Sequence, residues 1–232
     1  ELEYREHKSI TIFTKFPIKK SSDDDLLNAS VVIWTTTPWT IPGNRALAYN
    51  KDFSYSLYKV VQVIEGSYSL EGDQVILVDE LSEQFKEKCK IEKLEKIKSL
   101  PDMSGIVCSH PFHNSGYEFD VNLYHADFVT LEQGTGFVHI APGHGPDDYE
   151  LGKANGVEVP ETVDKDGIYF DHVPLFSGKK IFNDDGSDAE ANVAVIIELR
   201  NHNALSGKGS VRHSYPHSWR SKAPVIFRNT PQ

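Results

Sequence analysis

The sequence predicts a β-rich α+β fold, a barrel or sandwich of short strands with helices on its outside. Three observations predict it. Most apolar segments either alternate with the period of two or are short β-branched and aromatic stretches bounded by turn residues. Only three segments carry helix start signals. Nowhere do strands and helices follow the βαβ rhythm of a doubly wound parallel sheet. The 232 residues, 39% hydrophobic and 25% charged, suffice for a proper core within one large domain.

The elements follow in order. Residues 9–15 alternate apolar and polar side chains, with Phe16 close behind. Residues 30–34, 55–64, 75–78, 128–131 and 137–140 are rich in β-branched or aromatic residues and read as strands. Turn signals at Gly72, Gly134 and Gly167 separate such runs. Asp79 is placed to cap a helix over residues 80–90. Pro146 suits the first turn of a helix over 147–155, with Gly156 just beyond its end. Ser187 or Asp188 is placed to cap a third over 189–202. The charge-rich stretch 86–98 reads as a solvated face. The longest apolar runs, such as 191–197, are far short of a membrane span, so no membrane partner is expected.

The net charge of −10 argues against wholesale nucleic-acid binding. Residues 200–232, however, hold six of the 24 basic residues and none of the 34 acidic ones. That tail either pairs with the acidic body or touches phosphate. Cys89 and Cys108 belong to no CxxC pair, and the chain opens without a signal peptide. A reduced, cytoplasmic protein is the simplest reading.

Two runs carry the chemistry. The first, VVIWTTTPWTIPGN at residues 31–44, drives a hydrophobic strand straight into three threonines. A threonine supplies a methyl that shapes a wall and a hydroxyl that orients water or a carbonyl. Its β-branching makes the wall stiff. Thr36 and Thr37 are the residues expected to meet a substrate. Thr35 faces the other way by strand alternation, where a hydroxyl more simply bonds its own backbone. Trp34 and Trp39 more simply pack.

The second run is GTGFVHIAPGHGPDDY at residues 134–149. It is no dinucleotide fingerprint, because the third glycine position is His139 and no βαβ unit surrounds it. His139, His144 and Asp148 are a conceivable metal set, but their spacing matches no common zinc pattern. The pairs His110 with His113 and His213 with His217 sit in proline-containing loops. Asp147 and Asp148 fall in a first helical turn, where the helix dipole keeps a carboxylate ionised. Asp148, next to a glycine-rich loop with a histidine, is the natural partner for a substrate ammonium.

Together the two runs closely resemble the editing insertion of isoleucyl-tRNA synthetases of the bacterial-like type. EYREHKS near the start and HSYPHSWRSKAPVIFRNTPQ at the end resemble the junctions of that insertion. Thr37, Pro38 and Trp39 stand where the valyl and leucyl relatives carry a Thr-Arg-Pro pattern, which favours the isoleucyl type. Gly43 and Ile140 depart from the pattern, where alanine or serine and threonine are commoner. Signatures of the HIGH and KMSKS kind are absent, so no amino-acid activation is expected.

The resemblance implies a distorted β-barrel core with peripheral helices and β-ribbons. It implies one editing domain over residues 1–232, with residues 1–20 and 203–232 as ribbons joining a catalytic body. It implies hydrolysis of valine wrongly esterified to the 3′ end of the isoleucine tRNA, with valyl adenylate as a second substrate open to it and no cofactor. The double-sieve logic behind such editing is a general property of these enzymes, not something these residues reveal. By the same resemblance Thr36, Thr37, Asn44, His139 and Asp148 are the catalytic set. Asp148 holds the amino group, His139 borders the side-chain pocket or ribose, and Asn44 orders the loop. Thr35, Trp39 and His144 are substrate-binding neighbours. No covalent nucleophile is evident, so water attacks directly, activated by His139 or by a substrate hydroxyl.

Overall fold

A computed structural model of the chain describes residues 2–230. Residues 1, 231 and 232, the outer ends of the expected junction ribbons, lie outside the described residues. Ten strands form the scaffold: β1 (Leu2–Lys20), β2 (Ser30–Thr35), β3 (Ala46–Tyr49), β4 (Tyr55–Val63), β5 (Gln74–Val78), β6 (Ile91–Leu100), β7 (Val107–Ser109), β8 (Asp120–His125), β9 (Phe137–Ile140) and β10 (Leu205–Ser218). Three helices accompany them: α1 (Ser82–Lys88), α2 (Pro146–Ala154) and α3 (Glu190–Asn201).

β1 is the hub. Its outer half pairs antiparallel with β10, from Leu2 opposite Ser218 to Thr14 opposite Leu205. Its inner half pairs with β2, from Ile12 opposite Thr35 to Pro17 opposite Ser30, and its end reaches β7. The sheet order is β6-β4-β5-β2-β1-β7-β8-β3-β9, with β10 joined to β1 beside this path. Two neighbouring pairs, β2 with β5 and β3 with β8, are parallel. The expected distorted barrel is therefore a curled, mixed sheet that does not close. Its far end still folds back. Thr135, just before β9, donates its hydroxyl to the Val32 carbonyl at 2.6 Å and accepts from the Val78 N–H at 2.9 Å. Gly136 permits this approach. It has φ +81°, and a Cβ there would lie 2.5 Å from Val78 Cβ.

Both faces of β2 are covered, which explains its unbroken apolar sequence. Val31 and Ile33 belong to the main core with Leu47 and Ile76. Val32 and Trp34 pack on the opposite face with Phe85 and Cys89. A strand buried twice needs no polar alternation.

Four expectations change. Residues 128–131 are not a strand, because the chain turns off the sheet after His125, with the Ala126 carbonyl accepting from the Val129 N–H. Residues 91–100 within the charged stretch are a strand. β6 sits at the sheet edge, where lysines and glutamates solvate one face and guard the edge, and so hide the period-two signal. The helix expected over 80–90 splits into a tight turn over Asp79–Leu81 and the shorter α1. Asp79 does not cap it, because its carboxylate accepts from the Tyr58 hydroxyl at 2.6 Å and from Lys96 at 2.8 Å. Neither Ser187 nor Asp188 caps α3, whose entry is fixed instead by the Lys180 N–H donating to Glu190.

Candidate functional site

The threonine run ends β2 and enters a tight turn over Pro38–Gly43, wholly buried. Proline at its first position fixes the entry, and the Thr40 N–H closes onto the Thr37 carbonyl at 2.9 Å. Thr35 accepts the Thr37 N–H at 3.1 Å, the local strand-end role, and lies 3.2 Å from the Thr37 hydroxyl. Thr37 Oγ1 lies 3.4 Å from Thr40 Oγ1.

From Thr40 the network crosses to β9. Thr40 Oγ1 is 2.8 Å from His139 Nε2, and Asn44 Nδ2 is 3.0 Å from His139 Nδ1. Asn44 Nδ2 also donates to the Ala46 carbonyl at 2.9 Å. A carbonyl only accepts, so that nitrogen is a donor and His139 Nδ1 must accept from it. The imidazole proton therefore sits on Nε2 and goes to Thr40, whose own hydroxyl donates to the Thr37 carbonyl at 2.8 Å. Burial pushes the His139 pKa down to about 3. The ring is neutral, and both nitrogens are engaged. Asn44 Oδ1 is buried with no hydrogen-bond partner, an exception that calls for a ligand or solvent donor.

Asp148 sits in the first turn of α2, half-buried. Its Oδ2 accepts the Ala141 N–H at 2.7 Å, and Ala141 lies two residues beyond His139. The helix start was expected to keep this carboxylate ionised. Burial instead raises the pKa to about 6, against the opposing pull of the Ala141 N–H. Asp147 next to it is exposed. His144, in the intervening loop, packs edge-on against Trp39 with ring centroids 4.8 Å apart. Its Nδ1 donates to the Phe227 carbonyl at 3.0 Å and its Nε2 accepts from Thr162 at 2.6 Å. The ring also explains the departure at Gly43, where a Cβ would lie 3.0 Å from His144 Cδ2.

The structure thus joins Thr35, Thr37, Asn44 and His139 in one network, and seats Trp39, His144 and Asp148 beside it. No hydrogen bond among the described residues joins Asp148 to Thr36 or Thr37. Those two threonines line a narrow cleft of about 10 Å³, room for roughly one water, with Trp39, His7, Asp188, Asn192 and Tyr215. Asp148 does not line it.

Sequence reasoning missed Thr40 and Asn192. Thr40 lay inside the quoted run, three residues past Thr37, where a tight turn brings the two together. Asn192, 5% exposed, accepts the Trp39 N–H at 3.0 Å. Its only signal was a lone amide inside the apolar run 191–197.

Other candidates resolve as packing. His110 is fully buried, stacks on Tyr117 at 4.5 Å and holds the Ile41 carbonyl at 2.9 Å. Among the described residues no three His, Cys, Asp or Glu side chains are grouped to hold a metal ion. Both cysteines are free and buried, and burial pushes their thiols well above the ordinary range. In the tail, Arg212 pairs with Glu6 and Lys222 with Glu3, both at 2.8 Å on β1. No helix among the described residues is long and apolar enough to cross a membrane.

No protein-family model matches the chain. Over its whole length the chain is 44% identical to the isoleucine–tRNA ligase of Bradyrhizobium diazoefficiens, 45% to that of Pelagibacter ubique and 46% to that of Caulobacter vibrioides. It spans 24–25% of the length of these relatives. Solved structures with partial likeness include GlLeuRS-CP1, with TM-score 0.48 and 18% identity over 63% of this chain and 59% of that one. Another is the P. falciparum cytosolic leucyl-tRNA synthetase editing domain, with TM-score 0.47 and 10% identity over 64% of this chain and 67% of that one.

Proposed function

The chain belongs with the isoleucine–tRNA ligases, as a segment about a quarter of their length, and from that premise we propose that it is their proofreading hydrolase. It cleaves the ester between a wrongly attached valine and the 3′ end of the isoleucine tRNA, and valyl adenylate is a second substrate of the same site. Its partners are that tRNA and the catalytic body of the ligase. It works in the cytoplasm, and the reaction needs no cofactor.

One observation carries the reading. The end of β9 holds a neutral, locked imidazole and, two residues later, the backbone amide that seats a lone half-buried carboxylate. A small amino acid offers an ammonium to pair with such a carboxylate. Asp148, ionised at neutral pH, takes the ammonium. The methyls of Thr36 and Thr37 limit side-chain size. Their hydroxyls orient one water towards the ester carbonyl. Water adds to the carbonyl carbon, the ribose oxygen leaves and takes a proton, and free valine departs.

The locked tautomer and the pKa near 3 make His139 a poor proton acceptor. They support a positioning role for it, with a substrate hydroxyl activating the water. The test is deacylation of valyl-tRNA by the chain and by Asp148→Ala. Loss of turnover with tRNA binding retained supports the reading; full turnover in the variant sinks it.

A further inference from the structure

We propose that a lysine groove at the mouth of the threonine run holds a single strand of nucleic acid by its phosphates, with Trp34 as the stacking platform for one base. This deepens the proposed function by locating where the nucleic acid runs.

Two cavities adjoin and share Lys88 and Lys208. One, of about 170 Å³, is lined by Thr11, Phe13, Trp34, Gln133 and Ser210 besides those lysines. The other, of about 210 Å³, adds Tyr68 and Lys90. No carboxylate lines either one. The remaining large clefts differ: one carries Asp166 and Asp184, another Glu158 and Glu161. In a chain of net charge −10, three lysines gathered without an acid are unexpected. Lys88, Lys90 and Lys208 are all exposed, and none forms an ion pair among the described residues. Eight of the other fifteen lysines form an ion pair among the described residues, as Lys15 does with Asp73 and Lys96 with Asp79.

Aromatic faces accompany the charge. Trp34 is half-buried, and the Lys88 ammonium stands 5.9 Å from its ring centroid. Tyr68 is 37% exposed at the other end. Lysines tracking a backbone, with aromatic rings between them, are what a single strand needs, since every base has a stacking face. An acidic peptide would use the lysines and leave the rings idle, so nucleic acid is the better fit.

Position agrees. Trp34 directly precedes the three threonines, and Gln133 directly precedes the glycine-rich run that leads to His139. The two runs meet there, since a Cβ on Gly134 would lie 3.7 Å from Trp34 Cβ. Of the basic tail, this groove uses Lys208 and leaves Arg212 and Lys222 in their pairs with β1.

The experiment titrates the 232-residue chain with a short single-stranded RNA, following tryptophan fluorescence at several salt concentrations. RNA should quench the emission, and the quenching should vanish in Trp34→Phe. The Lys88→Ala/Lys90→Ala/Lys208→Ala variant should bind roughly tenfold or more weakly, with the slope of log K against log salt shallower by about 2. An acidic peptide of equal charge should bind weakly and leave the fluorescence unchanged. Unchanged RNA affinity and slope in the triple variant would overturn the proposal, as would tighter binding of the peptide than of the RNA. Hydrolysis of a phosphate-free valyl ester of adenosine should stay within twofold in the triple variant. Its loss in Asp148→Ala but not in the lysine variant separates the fate of this groove from that of the active site.

Discussion

The threonine side and the aspartate side of the site are built on opposite rules. From Thr35 through Thr37 and Thr40 to His139 and Asn44 the groups are neutral, all but the half-buried Thr37 are buried, and nearly every donor is committed to a partner inside the protein. Across the turn, Asp148 keeps a single backbone partner, stays half-open to solvent and carries a pKa raised to about 6 by its surroundings. A network tied this closely to its own backbone is stiff, which is what the proposed measurement of side-chain shape needs. An under-satisfied carboxylate is held at a cost that a bound cation repays.

The first way to break this contrast is to remove the charge. Asp148→Ala should lower kcat/KM for valyl-tRNA deacylation by about 100-fold, the scale on which a buried charge partner is lost. An equal fall with a substrate lacking the amino group would show that the residue acts otherwise. Next comes shape. Thr37→Ser should let isoleucyl-tRNA in and narrow the valine-to-isoleucine ratio of deacylation rates about tenfold, since one methylene is worth roughly 1–3 kcal/mol. A ratio that does not move would remove Thr37 from the wall.

A third test sharpens the same line with acid. In the proposed role Asp148 must be ionised to hold the ammonium, so kcat/KM should fall about tenfold per pH unit below pH 6 and level off above it, and Asp148→Asn should erase that limb. Then the support behind the wall can be loosened. Asn192→Ala leaves the buried Trp39 N–H without its acceptor, at about 1–3 kcal/mol of stability read by denaturant unfolding.

The smallest effect has the opposite sign. Asp148 binds its proton more tightly in the fold than in the open chain. Between about pH 4 and 6, stability therefore drops as pH rises, and at neutral pH the deficit is complete. Asp148→Asn should accordingly raise Tm at pH 7 by about 2–4 °C, the shift that roughly 1 kcal/mol gives in a chain of this size, while turnover is lost. An unchanged Tm would mean that solvent screens the carboxylate.

How much of this was legible in the sequence follows from the range of each interaction. Local signals were read correctly for β9 and α2, but not for residues 128–131 or for the caps expected at Asp79, Ser187 and Asp188. β9 stands where the run of branched and aromatic residues put it, and α2 begins at the proline with its two aspartates. Long-range pairing was not readable. β10 was legible only as a basic ribbon with no named partner, because that partner lies about two hundred residues away, and β6 looked like surface because its edge position demands charge. Within the site, residue types pointed to threonine, histidine and aspartate chemistry. The tautomer of His139 and the raised pKa of Asp148 could not be read, since both come from burial and from partners such as Ala46 and Ala141 that contribute only backbone.

The antiparallel pairing of β1 with β10 has a mechanical consequence. From Lys8 out to Leu2, opposite Arg212 to Ser218, the two strands form a stalk roughly 20 Å long, at about 3.3 Å per residue. Its root is stiff, because the same two strands run on into the core at Ile12 and Leu205. A tilt of 10° at that root would sweep the tip by roughly 3–4 Å on this geometry. Force applied at the tip reaches the site by two routes, through His7 and Tyr215, which line the cleft with Thr36 and Thr37, and through backbone that continues, by way of β2, into Thr35.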